Sequence, residues 1–311
     1  MQKILITGGG GFIGSHLVAT YQDQGFQVAI IDNFSSGRKA FLNEDVIIFE
    51  GLIEDEAFVE ATIQSFKPDI ISHHAAHISV IASIDNPSMD AERNILGSIN
   101  IFHAGGKAGV KQIIFASSGG AIVPTDNTDF PTKEIGQVSN LGSPYALSKQ
   151  TAEAYLHYFA KQYNFTPTVL RYSNVYGPHQ TPKSEAGVIA IFSEMLTQNQ
   201  TPTIFGDGKQ TRDFIFVKDV ADAHLSTTQN NMEGTFNVST GQETSIYEIY
   251  RLMAQALEHN DQPHFQPSAQ GDVQRSALSS DYLQSKTNWK PQIAIHDGIS
   301  QTIAWAQTFY A

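Results

Sequence analysis

Cysteine is absent from all 311 residues, so no disulfide framework holds this chain together. Long apolar runs are missing too. No stretch approaches the roughly 18 consecutive apolar residues a bilayer-spanning helix needs, and with 41% apolar and 16% charged residues the chain reads as a water-soluble globular protein. Positive charge is scarce: 19 Lys and Arg face 31 Asp and Glu, a formal net charge of -12. Such a surface repels a phosphate backbone, which excludes nucleic acid as a partner. An anionic ligand must therefore be held locally, by a few arginines or by backbone N–H groups. The first residues run straight into Lys3-Ile4-Leu5-Ile6-Thr7 without the zones of a signal peptide, and the expected home is the cytoplasm. The 11 histidines show no paired helical ligand spacing, so no metal is expected.

What is present is a regular alternation. Short β-branched runs at Lys3–Thr7, Gln27–Asp32, Val46–Glu50, Ile70–His73, Gln112–Ala116 and Thr168–Arg171 are separated by helical patterns at Gly14–Gln24, Glu56–Ser65, Ala91–Gly105 and Pro144–Tyr163. Alternation of this kind predicts βαβ units, hence an α/β fold with a Rossmann-type, doubly wound parallel sheet. From about Gly177 the texture changes to polar loops such as "GPHQTPKSEAG" and "FGDGKQTRDF", with helices expected at Val188–Gln198, Val217–Gln229, Ser245–Leu257 and Asp297–Thr308. There is no internal repeat and no low-complexity linker. The reading is a dinucleotide-binding domain over 1–176 and a smaller, interwoven α/β substrate region over 177–311.

The first strand hands over to the first helix through four glycines, in "KILITGGGGFIGSHLV". That loop lies at the carboxyl edge of the sheet, where doubly wound folds bind ligands. Glycines permit positive φ and leave no Cβ in the way, so a pyrophosphate can approach the backbone and the free N–H groups of the helix start. The spacing satisfies both Gly9-x-Gly11-x-x-Gly14 and Gly8-x-x-Gly11-x-x-Gly14. Asp32 ends the second strand, 18 residues past Gly14, where its carboxylate would take a ribose 2′-hydroxyl and repel a 2′-phosphate. NAD is thus favoured over NADP, with Arg38 the nearby cation that would argue the other way.

Tyr145 and Lys149 stand four apart on a predicted helix, hence on one face. A neighbouring ammonium and a nicotinium ring both favour a phenolate, which fits Tyr145 to take a proton from an alcohol as hydride leaves. An ordinary surface pair has the same spacing. Ser117 and Ser118 close another predicted strand, again at the carboxyl edge, 27 residues before Tyr145 for Ser118. Ser118 can donate to the same substrate oxygen; a turn cap is the plainer role for such serines.

Taken together, Thr7-Gly8-x-x-Gly11-Phe12-Ile13-Gly14, Asp32-Asn33, His73-x-Ala75-Ala76, Asn94-Ile95-x-Gly97, Ser117-Ser118, Tyr145-x-x-x-Lys149, "LRYSNVYGP" and "FGDGKQTRDFIFVKDV" resemble the extended short-chain dehydrogenase/reductase family. More narrowly they resemble its NAD-dependent nucleotide-sugar epimerases and dehydratases, the 4-epimerases nearest. The similarity runs from Lys3 to Asn288–Pro291. It implies that Gly8, Gly11, Phe12, Ile13, Gly14, Asp32, Asn33, Gly37, Ile53, Ala75, Ala76, Asn94, Ser117, Tyr145, Lys149 and Tyr172 hold NAD, with His77 a further contact. It places the nucleotide sugar on Ser118, Asn174, Gly187, Val188, Thr203, Phe205, Arg212 and Asp272. Arg212 would clamp the diphosphate through its forked guanidinium; a surface ion pair with Asp213 or Asp207 is its alternative role. Ser118, Tyr145 and Lys149 would be catalytic.

The activity implied is 4-epimerisation of a UDP-hexose (UDP-glucose/UDP-galactose) through a 4-keto sugar, in a homodimer built on the helices carrying Asn94 and Tyr145. Gly119 and Gly120 follow Ser118 where the dehydratases and decarboxylases of the family carry acidic residues, which disfavours elimination. Val123-Pro124 replaces the usual Tyr-Gly, and Ser268-Ala269-Gln270 replaces an arginine ahead of Gly271-Asp272, for which Arg275 would substitute. His74 and His77 stand where Leu and Gln or Lys are more common. Ser276 is small enough to leave room for an N-acetyl group, extending the expected substrates to UDP-GlcNAc/UDP-GalNAc. Rival readings are a nucleotide-sugar reductase or 3,5-epimerase of the same family, and a non-catalytic NAD-binding sensor or scaffold.

Overall fold

The computed structural model describes residues 1–123, 128–134, 136, 138–182, 187–268 and 273–310. Six of its strands are those legible in the sequence: β1 (Lys3–Thr7), β2 (Gln27–Asp32), β3 (Ile47–Glu50), β4 (Ile70–His73), β5 (Gln112–Ser118) and β6 (Thr166–Tyr172). A seventh, Gly234–Val238, pairs with β6, and the order across the parallel sheet is Gly234–Val238, β6, β5, β4, β1, β2, β3. This seventh strand comes from the second part of the chain. Its short run of Gly, Thr and Asn among the apolar residues hid it among loops.

Strand order reverses between β1 and β4, which opens a crevice beyond their carboxyl ends. Period-two alternation along each strand feeds two separate cores. Ile4 and Ile6 of β1 pack with Leu17, Val18 and Tyr21 of α1 (Phe12–Asp23) and with Val220 and Ala223 of the Val217–Gln229 helix. Leu5 points the other way, into a cluster with Val59 and Ile63 of α2 (Glu56–Phe66), Ile101 and Phe102 of the Gly97–Lys107 helix, and Leu156 and Phe159 of the Pro144–Tyr163 helix. Each inward isoleucine or leucine contributes about 1.5–3 kcal/mol by burial, so a one-residue register slip would reverse both faces.

The helix expected at Ala91–Gly105 starts earlier, at Pro87, where Asn86 caps it by accepting from the Met89 N–H. It passes through a wider turn at Glu92–Leu96 before continuing to Lys107. Beyond the sheet, a third core gathers Tyr176, Ile189, Phe192, Ile249, Tyr250, Met253, Ile299 and Ile303. Around it lie, among the described residues, three small sheets, including a parallel pair of Asn174–Tyr176 with Phe214–Phe216 that continues the chain directly from β6. Among the described residues no helix is long and apolar enough to cross a membrane.

Candidate active site

The glycine loop is built by close backbone packing. Gly8 has φ +69° and donates its N–H to the Ile31 carbonyl (2.7 Å), while Gly11 N–H returns to the Gly8 carbonyl (3.1 Å). A Cβ on Gly14 would sit 2.1 Å from the Gly8 oxygen, so only glycine lets α1 start so close to the turn. Gly37 is required from the opposite side, where a Cβ would come within 2.7 Å of the Gly10 carbonyl carbon. Asp32 ties the loop to β2: its carboxylate accepts from Gly10 N–H (2.8 Å) and Phe34 N–H (2.7 Å). Burial pushes this carboxyl upward, and the two backbone bonds oppose that shift.

Around this loop runs a cavity of about 430 Å³ lined by Gly8, Gly11, Phe12, Ile13, Gly14, Asp32, Asn33, Ile53, Ala75, Ala76, His77, Ser117, Tyr145, Lys149 and Tyr172, among others. A second cavity of about 440 Å³ opens beyond it, lined by Ser118, Asn174, Gly187, Val188 and Arg212 together with Tyr176, Gln180 and Phe214. Both cavities are bordered by Ile13, Ile78, Ser117, Tyr145 and Tyr172. The phenol of Tyr145 therefore belongs to the wall between them.

Tyr145 is delivered there by the start of its helix. Ser143 accepts from Ala146 N–H as N-cap, Pro144 occupies the first turn, and the Tyr145 N–H reaches Ser83 Oγ (3.2 Å). One turn on, Lys149 is buried, donates to the Ala116 carbonyl (3.0 Å) and holds Nζ 6.0 Å from the Tyr145 ring centre. Burial brings its ammonium down to about 8, against the pull of Asp90 and Glu153. One further turn along, Glu153 receives Arg171 Nε and Nη2 (2.9 and 2.6 Å) and Ser117 Oγ (2.6 Å), a buried network that fixes the end of β5.

Asn94 does not line either cavity. Its amide holds the backbone of His77, accepting from the His77 N–H (2.7 Å) and donating to the His77 carbonyl (2.8 Å), so it positions the cavity wall. In the second cavity the helix Val188–Thr197 begins with Gly187 as N-cap, no side chain caps it among the described residues, and Gly187, Val188 and Ile189 line the cavity together with Arg212. Arg212 Nη1 is steered by the carbonyls of Thr211 (2.8 Å) and Val273 (2.6 Å). The acids considered for it are engaged elsewhere: Asp213 accepts from Thr240, Gly241 and Leu278, and Asp207 from Lys209.

Gly37 supports the glycine loop and, like Asn94, lines neither cavity, and four of the residues expected to hold the sugar nucleotide also lie outside both linings. Thr203 and Phe205 sit on a strand paired with His264–Gln266, Phe205 exposed. Arg275 is paired with Glu243 (Nε to Oε1 3.0 Å) and stands over the Phe130 ring. Ser276 lies beside Arg212 in the small sheet, 3.8 Å from where a Gly120 Cβ would be. Asp272 falls outside the described residues, as do Pro124, Ala269, Gln270 and Gly271. Arg38 lies over the Phe309 ring (4.9 Å to the centroid), away from the cavity lining.

A family model, "NAD dependent epimerase/dehydratase family", matches residues 4–239. The chain belongs to that family. Within it, the UDP-glucose 4-epimerase of Mycolicibacterium smegmatis is 40% identical over 306 residues, covering 97% of each chain. The crystal structure of UDP-glucose 4-epimerase with UDP-glucose from Thermotoga maritima superposes with a TM-score of 0.94 at 38% identity, covering 99% of both chains. That of the Thermus thermophilus UDP-glucose 4-epimerase in complex with NAD gives 0.89 at 36% identity, covering 98% of this chain and 99% of its own.

The residues present fit the family's cofactor. The turn between β1 and α1 has no room for a Cβ at Gly8 or Gly14, Asp32 stands at the end of β2, and the buried Tyr172 Oη and His77 Nδ1 have no partner among the described residues. Several lining residues were given no contact from the sequence: Ser35, Ser36, Ser79, Arg93 and His74, the last noted only as unusual, in the first cavity, and Tyr176, Gln180 and Phe214 in the second. Gln180 had a visible signal, since it lies in the loop "GPHQTP"; Phe214 had none, being reached through strand pairing.

Proposed function

We propose that this protein is an NAD-dependent nucleotide-sugar 4-epimerase acting on UDP-hexoses, interconverting UDP-glucose and UDP-galactose. The observation that carries the reading is the shared wall: one cavity lined by the glycine loop and Asp32, another lined by Arg212 and a helix N-terminus, with Tyr145 facing both. NAD, when bound, supplies a hydride acceptor for C4 of the sugar. Tyr145 takes the C4 hydroxyl proton and later returns it, while Lys149 keeps a positive charge beside that phenol. Ser118 donates to the same oxygen. Asp32 receives the ribose hydroxyls, and Gly8, Gly11 and Gly14 admit the pyrophosphate to the backbone.

Arg212, the N–H groups at the helix start of Gly187 and Val188, and Asn174 hold the UDP diphosphate, so that the 4-keto sugar turns over without leaving. Binding energy at that remote anchor serves the reaction at C4. Gly119 and Gly120 present no acid after Ser118, which supports epimerisation over dehydration. Acceptance of N-acetylated sugars rests on the small side chain of Ser276 alone, which pairs with Arg212 in the small sheet but lies outside the cavity lining. In this reading residues 1–176 carry the cofactor and 177–311 the sugar nucleotide. The enzyme is a cytoplasmic homodimer, a state supported by Leu96, Leu147, Tyr155 and Tyr158, large apolar side chains exposed on the two helical segments that flank the site.

The test is incubation with UDP-, dTDP- and GDP-sugars without added nicotinamide. Formation of the C4 epimer from the UDP sugars alone is expected. Turnover only with added NADPH would make it a reductase, and bound NAD with no turnover a sensor.

A further inference from the structure

His74 lines the cofactor cavity, half-buried at the end of β4, and its ring stacks on that of Tyr172 (centroids 6.1 Å apart, 17° between planes). Behind it runs a chain of buried polar groups whose proton positions follow from counting donors. Thr228 Oγ1 gives its hydrogen to the His224 carbonyl (3.1 Å), so Tyr21 Oη must donate to Thr228 Oγ1. Tyr21 then accepts from His224 Nδ1–H (2.8 Å). Burial pushes the His224 imidazole down to about 3, so it is neutral and its Nε2 is a lone pair. Ser72 Oγ (3.0 Å) and His74 Nε2 (3.4 Å) both face that lone pair.

Ser72 Oγ–H can donate to that lone pair, and a bare His74 Nε2 would set a second lone pair 3.4 Å away, so this contact favours the His74 tautomer with its hydrogen on Nε2. Burial and the neighbouring His224, His73 and Lys149 keep this ring uncharged as well, which leaves Nδ1 bare. Nδ1 has no partner among the described residues and is not among the sealed ring nitrogens, so it is open to the cavity. On the ring stacked against it, Tyr172 Oη is buried without a partner among the described residues, and burial drives its phenol upward, so it remains a donor. An acceptor and a donor are thus offered by two stacked rings that line the cofactor cavity, Tyr172 lining the sugar cavity as well.

We infer that His74 is a cofactor-positioning residue: its Nδ1 accepts from the carboxamide NH₂ of the nicotinamide ring, whose carbonyl receives the Tyr172 hydroxyl. On the nicotinamide ring itself, the primary carboxamide is the group that presents a donor and an acceptor together. The inference rests on the assignment of the first cavity to NAD. It gives the His224–Tyr21–Thr228 chain a function, since that chain favours the tautomer His74 needs.

The test compares binding of NAD with its 3-acetylpyridine analogue, which keeps the carbonyl and lacks the NH₂, by calorimetry on cofactor-free enzyme without substrate. Wild type is expected to prefer NAD about fivefold, one net hydrogen bond, and His74→Leu to bind both equally. His74→Asn, whose Oδ1 falls near the Nδ1 position, should recover most of the preference. Ring ¹⁵N spectra of the unaltered protein should show His74 protonated on Nε2, with its Nδ1 resonance moving when NAD is added. The same preference in wild type and His74→Leu, or a hydrogen on Nδ1, would overturn the inference. Failure of the wild type to bind NAD at all would instead remove the cavity assignment and the inference with it.

Discussion

Replacing Gly14 by alanine tests whether the backbone contact under the pyrophosphate is as tight as it looks. The new Cβ would lie 2.1 Å from the Gly8 oxygen, 2.8 Å from Gly9 Cα and 2.9 Å from the Gly8 carbonyl carbon. All three are backbone atoms, so no side chain can swing away. Gly8 cannot retreat either, because its N–H is bonded to Ile31 and its other side abuts Ala75. Relief requires the turn and α1 to part by more than about 1 Å, an overpacking cost of about 3 kcal/mol, offset by about 1 kcal/mol of helix propensity. With about 2.1 cal/mol/K of unfolding entropy per residue, the chain's 311 residues give roughly 650 cal/mol/K, so a net 2 kcal/mol lowers Tm by about 3 °C. The displaced N–H groups should weaken NAD by at least about tenfold, or 1.4 kcal/mol. Gly136→Ala, with open space around its Cβ, is the control and should change neither quantity. Scanning calorimetry and NAD titration decide it; a Gly14→Ala protein with wild-type midpoint and affinity would refute the reasoning.

Tyr145→Phe should lower kcat by about a thousandfold, the range of a lost acid/base group, while NAD still binds with one-to-one stoichiometry. Arg212→Ala removes the charge-assisted grip on the diphosphate, so KM for the UDP sugar should rise about tenfold or more, read from initial rates. Lys149 has a folded-state pKa of about 8, lowered by burial, against about 10.4 unfolded, so between those values the unfolded chain binds the extra proton and stability rises with pH. The penalty, of the order of 3 kcal/mol, is fully present below about pH 8 and fades as pH climbs towards 10. Urea midpoints should therefore show wild type gaining on Lys149→Met across that window, and parallel curves would contradict the assignment.

Much of the site could be read from residue order because spacing and secondary structure reinforce each other. Gly8 to Gly14 sit between a strand and a helix, Asp32 ends the next strand, and a four-residue interval on one helix can only place Tyr145 and Lys149 on one face. Other features depend on partners that spacing does not reveal. Asn94 was legible as a motif residue, yet its task, holding the His77 backbone, is a matter of two hydrogen bonds across a turn. Arg275 carries a suitable charge, but Glu243, 32 residues away, takes its guanidinium. The strand Gly234–Val238 finds its place only because β6, some 66 residues earlier, offers a parallel edge. The His74–His224 contact joins positions 150 apart. No local pattern announces it.

The central claim is that a hydride leaves C4, rests on a cofactor that never departs, and returns to the same carbon. UDP-galactose carrying deuterium at C4, incubated in ordinary water with purified enzyme and no added nicotinamide, tests this by mass spectrometry of the product. The account predicts UDP-glucose with the deuterium retained at C4. Product in which that deuterium has been replaced by hydrogen from water would contradict it.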